Sequence, residues 1–249
     1  MVYGGESLGG SLNLGWTKED DHACVAENRR RLVGAVSGGG ALMRLVTVRQ
    51  VHSGVVRVVG PGDGALEGRL ENPEGKAVLE GDGLVTDVPG VLLGVGTADC
   101  VPVLVVDTAK RAVGAFHAGW RGTVARIVER GVETMRREYG SRGEDLVAAV
   151  GPSIGACCYA VGDEVSEQFA AEFGYGGELF GEREGELFVD LWEANRRQLV
   201  DSGVAAERIA VLGECTGCAR DAMGRRRYFS HRVERGVAGR MLNVMGIAG

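Results

Sequence analysis

A succession of short apolar runs, each closed by Gly, Pro or Asp, limits the folds open to this chain. "RLVTVRQVH", "GVVRVVG", "GVLLGVG", "VPVLVVD", "AVGAFHAG", "DLVAAVG", "ELFVDL" and "RIAVLGE" are rich in β-branched residues and too short for buried helices, so they read as strands. Between them lie helical patterns. Val124, Ile127, Val128, Val132 and Met135 share one face, with Arg126, Glu129, Arg130, Glu133 and Arg136 around it, in a helix opened by Gly122 or Thr123. Further helices are expected over 20–36 and 163–173, and from an Asp190 cap through Trp192 and Leu199. Strands and helices do not alternate strictly, which predicts an α+β fold with mixed sheets. The Gly-, Glu- and Pro-rich stretch from Gly60 to Gly81 reads as a long surface loop inside one domain spanning 1–249.

The turns are made by glycine. There are 42 glycines and five prolines in 249 residues, so glycine stands at about 17% against a usual ~7%. The net charge of −6 argues against a nucleic-acid binder, which needs a basic face; Arg29–Arg31 and Arg225–Arg227 read as solvated surface. No run approaches the ~18 apolar residues of a membrane span, and the first residues lack the pattern of a signal peptide. A cytoplasmic protein is expected, with its six cysteines as thiols.

Four histidines invite individual scrutiny. His22 sits in the polar "EDDHAC" and His231 in the basic "YFSHRVERG", both read as structural. His52 and His117 each close a strand before a glycine turn, where sheets present side chains to ligands. Cys100 follows Asp99 in a polar break between two apolar runs, where a core strand would not place a carboxylate. One thiolate and two imidazoles suit Zn²⁺ with an open fourth position, yet gaps of 48 and 17 residues match no short motif. The residues alone leave core filling and a metal site both open.

The turn "HAGWRG" adds a candidate anion site, from Arg121 beside a helix N-terminus. The vicinal Cys157-Cys158 read as buried thiols. Cys215-x-x-Cys218 reads either as a redox-active pair or as half of a structural zinc site, which would need two more ligands.

In order along the chain, "SLNLG", "RQVHSG", "GDGLVTD", "TADCVPVLVVD", "GAFHAGWRGT", "GPSIGACCYAVGDEV", "DLWEANRRQL" and "FSH" resemble the YfiH or laccase-domain family, also described as polyphenol oxidase-like proteins and purine nucleoside phosphorylases. The resemblance spans nearly the whole chain. It implies a single α+β domain with mixed sheets between helical layers, and a Zn²⁺ site of His52, Cys100 and His117. It also implies phosphorolysis of adenosine, inosine and S-methyl-5′-thioadenosine, with adenosine deamination; laccase-like oxidation and editing of peptidoglycan precursors are attributed to members too. Three features depart from the family pattern. Near its start the sequence reads "GGESLGGSLNLG", before which members usually carry a further segment, Ala160 replaces a usual Glu, and "HRVERGVAG" lacks the usual double Arg and Thr.

In the reaction this resemblance implies, phosphate is held by Arg121, the adjacent helix N-terminus and Arg49, while Asp82 and Asp99 orient ligands or exchange protons. Other readings use the same residues. Two His and a Cys also form a copper set, although four histidines are too few for a multicopper oxidase cluster. Cys100 with His117 as base would make a cysteine hydrolase, and a non-catalytic binding role stands last. Partners are therefore a nucleoside and phosphate, without nucleic acid or membrane, and a monomer is compatible with all of this.

Overall fold

The computed structural model describes residues 12–17, 20–38, 40–61 and 77–249. The start of the chain and most of the expected Gly60–Gly81 loop lie outside the described residues. Helix α1 (His22–Val36) begins at an Asp21 cap whose carboxylate accepts from the Ala23 amide. Strands β1 (Arg44–Thr47), β2 (Val56–Val58), β3 (Gly83–Thr86), β4 (Val91–Thr97), β5 (Val101–Asp107) and β6 (Ala112–Ala118) follow. The β5–β6 hairpin turns where the Asp107 carboxylate accepts from the amides of Ala109 and Lys110. Then come α2 (Trp120–Val124), α3 (Ile127–Tyr139), β7 (Leu146–Val150), β8 (Ala160–Val161) and α4 (Asp163–Glu172). β9 (Phe180–Arg183), β10 (Glu186–Val189), α5 (Leu191–Asp201), β11 (Ile209–Val211) and β12 (Met241–Gly246) complete the chain.

The fold is α+β with mixed sheets. The large sheet runs β11-β7-β5-β6-β3-β2, with parallel pairs at both edges and antiparallel pairs within. A smaller sheet, β1-β4-β12, and a third, β8-β10-β9, complete it. One apolar cluster, built on Val46, Leu84, Leu93 and Val113, fills the space between the large sheet and β1-β4-β12. The other, around Phe116, Ile127, Met135, Phe169 and Leu199, joins the opposite face to α3, α4 and α5. From the β1-β4-β12 sheet the layers run through the large sheet to the helices α3, α4 and α5.

Two expected elements change shape. The helix drawn from Gly122 or Thr123 through Met135 is two helices: Arg126 takes φ +57° and breaks it, leaving Val124 in α2 and the other apolar positions in α3. The strand expected through "RLVTVRQVH" ends at Thr47, so His52 sits five residues further on in a turn. Strands β3, β8, β9 and β12 have no counterpart among the apolar runs read as strands.

Pairing registers give the sheet one chemically loaded end. Val56 pairs with Gly83, Gly83 with Phe116, Pro102 with His117, Val103 with Val150 and Val211 with Val150. The starts of β2, β3 and β5 and the ends of β6, β7 and β11 therefore lie together. His52 and Asp82 precede β2 and β3, Cys100 precedes β5, and His117 is the penultimate residue of β6.

Candidate metal centre

At this end the donor atoms of His52, Cys100 and His117 lie within 4.8 Å of one another. Cys100 Sγ is 3.7 Å from His52 Nε2, and the two imidazoles meet edge to face with centroids 4.9 Å apart. Burial is graded: His117 is buried, Cys100 half-buried and His52 exposed. Gly119 makes room for the cluster, since a Cβ there would stand 2.9 Å from both Cys100 Sγ and His52 Cδ2. Three donors of mixed N and S type around a space kept free of side chain fit a single zinc or copper ion.

Asp82 organises the ligands. It is fully buried, and its carboxylate accepts from His117 Nδ1 at 2.9 Å, from the amides of Val51, His52 and Ser53, and from the Ser53 hydroxyl. The bond to Nδ1 leaves His117 Nε2 as the ligand atom. The amide bonds hold the turn in which His52 adopts φ +60°, a sparsely populated conformation for a non-glycine residue. Burial opposes ionisation of Asp82, but His117 and the Ser53 donors outweigh it and hold the carboxyl at about 2.

Cys100 and His117 shift in opposite directions. Burial pushes the Cys100 thiol up, but His117 and then His52 bring it down to about 6. Burial likewise disfavours charge on His117, while Cys100 and Asp82 raise it to about 9. Without metal the pair is therefore thiolate and imidazolium at neutral pH.

The remaining predicted residues divide. Asp99, at φ +92°, turns away from the donors: its carboxylate accepts from the Thr216 hydroxyl and the Arg232 amide, both at 2.7 Å. Its own carbonyl accepts from the Ile154 amide. Asp99 thus ties three segments together immediately before Cys100. Arg49 lines the cleft above the donors and is paired with Glu80. Arg121 does not reach it. Its guanidinium lies over the Trp120 ring at 4.1 Å, in the five-residue helix α2, while Gly119 before it lies directly against the donors.

The cleft itself has a volume of about 700 Å³ and opens over His52, Cys100 and His117 between Trp16, Arg29, Arg49, His231 and Arg240. The sequence reads His231 as structural and Arg29 as solvated surface, whereas both line the cleft; Trp16 and Arg240 carry no sequence signal. Arg240 reaches the cleft from the start of β12, far from any motif. The one available signal was the "FSH" match, which placed His231 among the resembling motifs.

Residues 3–248 match the family model described as multi-copper polyphenol oxidoreductase laccase. A purine nucleoside phosphorylase of Deinococcus radiodurans is 42% identical over 246 residues, covering 98% of this chain and 86% of the relative. Adenosine deaminase RL5, from an unknown prokaryotic organism, is 42% identical over 191 residues, 76% of this chain and 71% of the relative. The crystal structure of YfiH from Bacillus licheniformis superposes with a TM-score of 0.86 at 35% identity, covering 98% of this chain and 89% of that one. With its whole length matched in sequence and in fold, the chain belongs to the laccase-like family that includes YfiH and relatives named purine nucleoside phosphorylase.

Proposed function

We propose that this chain is a zinc-dependent purine nucleoside phosphorylase. Its substrates would be adenosine, inosine and S-methyl-5′-thioadenosine, cleaved to free base and ribose 1-phosphate or its methylthio analogue, with adenosine deamination as a lesser activity. The observation that carries this reading is the composition of the cleft. It joins one mixed N/S donor set to three arginines and an indole, Trp16, in about 700 Å³, within the range of small-molecule sites.

A zinc ion held by His52, Cys100 and His117 supplies Lewis-acid positive charge in a partly desolvated site. The chain's own residues do the rest. Asp82 fixes the tautomer and orientation of His117. Arg49 and Arg240 line the cleft where phosphate must enter, and guanidinium groups bind phosphate in bidentate fashion. Trp16 offers an aromatic wall for the purine. A phosphate oxygen bonds to the anomeric carbon as the glycosidic carbon–nitrogen bond breaks, and the base departs with that electron pair.

One feature favours phosphorolysis over deamination. Among the described residues lining the cleft there is no carboxylate, and Asp82 and Asp99 are both occupied as acceptors. Hydrolytic deamination by zinc enzymes relies on a Glu acting as general acid and base, whereas phosphorolysis asks chiefly for cations. Copper oxidation fits less well. All four histidines are described, and only His52 and His117 join a candidate metal group.

The test is a nucleoside panel with and without phosphate, read by chromatography on zinc-quantified protein. Free hypoxanthine from inosine only when phosphate is present, abolished by chelation, is the expected result. Equal base release without phosphate makes the protein a hydrolase. Activity that survives metal removal transfers the chemistry to the Cys100–His117 dyad.

A further inference from the structure

The end of the large sheet that carries the metal centre carries a second group of donors. β7 and β11 pair in parallel, Ile209 with Ala148 through Val211 with Val150, so the loops leaving them emerge side by side. The first loop contains Cys157 and Cys158, the second Cys215 and Cys218. The loops are laced by backbone bonds from Ser153 N to Glu214 O and from Thr216 N to Ser153 O. As a result the four thiol sulfurs lie within 4.8 Å of one another, and all four cysteines are free.

We propose that Cys157, Cys158, Cys215 and Cys218 bind one zinc ion as a structural tetrathiolate site. Four sulfur donors around a single point are the set that selects zinc. The spacing fits: a zinc tetrahedron with Zn–S bonds of about 2.3 Å has sulfur–sulfur edges of about 3.8 Å, and Cys157 Sγ stands 3.6 Å from Cys218 Sγ. Ligand sulfurs this close enclose one ion and leave no room for an iron–sulfur cluster.

The backbone is arranged for thiolates. Cys215 Sγ accepts from the Gly155 amide at 3.3 Å and from the amides of Gly217 and Cys218, so N–H donors converge on a sulfur that carries charge when it ligates. Gly217 is sterically needed, since a Cβ there would lie 3.0 Å from Cys158 Cβ and 3.2 Å from its Sγ. On binding, each ligating thiol releases its proton to solvent and no electron is transferred.

Thr216, held between the two cysteines of the second loop, donates to Asp99 at 2.7 Å, and Ile154 of the first loop donates to the Asp99 carbonyl. The thiol site therefore braces the residue before Cys100 from two sides. It is separate in composition from the histidine-containing centre, and its occupancy is measurable without any substrate.

The experiment counts metal. Protein purified under reducing conditions with zinc is expected to hold two ions per chain by mass spectrometry. His52→Ala is expected to lose one and keep one, and Cys157→Ser with Cys218→Ser to lose the other. Because the serine variant can misfold, the same question is put to chains with all four thiols intact. Cobalt-substituted wild type and His52→Ala should both show the intense sulfur-to-cobalt charge-transfer band of a tetrathiolate site. Wild type holding one ion, with His52→Ala holding none and lacking that band, overturns the proposal. So does a Cys157–Cys218 disulfide, two mass units lighter, in reduced-purified protein that carries no second ion. Neither result bears on whether the histidine centre cleaves nucleosides.

Discussion

A cysteine half-buried between two histidines is not an ordinary thiol, and the consequence is measurable. Cys100 is held down to about 6 chiefly by His117, against the burial that would raise it. The thiolate is the form that alkylates, and it predominates above the thiol's pKa. In metal-free protein, carbamidomethylation of Cys100 by iodoacetamide, followed by peptide mass mapping, should reach half its maximal rate near pH 6. Zinc should suppress it. A midpoint near 9 would mean that the two imidazoles do not face the sulfur. The Asp82 carboxylate holds this geometry together. One buried acceptor gathers His117, three consecutive amides and a hydroxyl, so the turn carrying His52 and the strand carrying His117 are fixed to each other. His52, Cys100 and His117 were legible in the sequence because their residue types are chemically unusual at such positions. Their convergence came only through the family resemblance, since it follows from pairing registers that no local pattern encodes.

At the level of elements, α3 settles on the large sheet by close approach of backbone to ring. A Cβ at Gly131 would fall 2.3 Å from Phe116 atoms, and Phe116 is fully buried next to His117. Gly131→Ala gains helix propensity, yet it forces the ring or the helix to move, and overpacking of this kind costs about 1–3 kcal/mol. Denaturant unfolding should show a lower midpoint with an unchanged slope; a raised midpoint would show that Phe116 yields freely. Helix periodicity marked α3 well, because its apolar stripe is regular. It carried Val124 into the same helix because Arg126, which breaks it at φ +57°, has no turn-forming side chain to signal the interruption. Arg121 belongs to the separate short helix α2 and stacks on Trp120, a placement that periodicity does not register. The four-cysteine group was illegible for a different reason. Cys157-Cys158 and Cys215-x-x-Cys218 meet only because β11 returns parallel to β7.

Across the whole molecule, Asp99 links the β4–β5 turn to the segments around Thr216 and Arg232. These bonds lie outside the two apolar clusters, so their loss should be local. Asp99→Ala is expected to speed amide exchange over residues 213–235 while leaving β5 and β6 protected. Equal acceleration in those strands would show that the tie supports the entire fold. No helix among the described residues is long and apolar enough to cross a membrane. The same tie also has a consequence in time. Asp99 is synthesised 133 residues before the amide it must accept from, and translation at about 5–20 residues per second makes that interval about 7–27 s. For that period the turn before Cys100 lacks its tie to Arg232, although all three candidate ligands exist once residue 117 is made. The bond that pins this turn is therefore supplied late in synthesis.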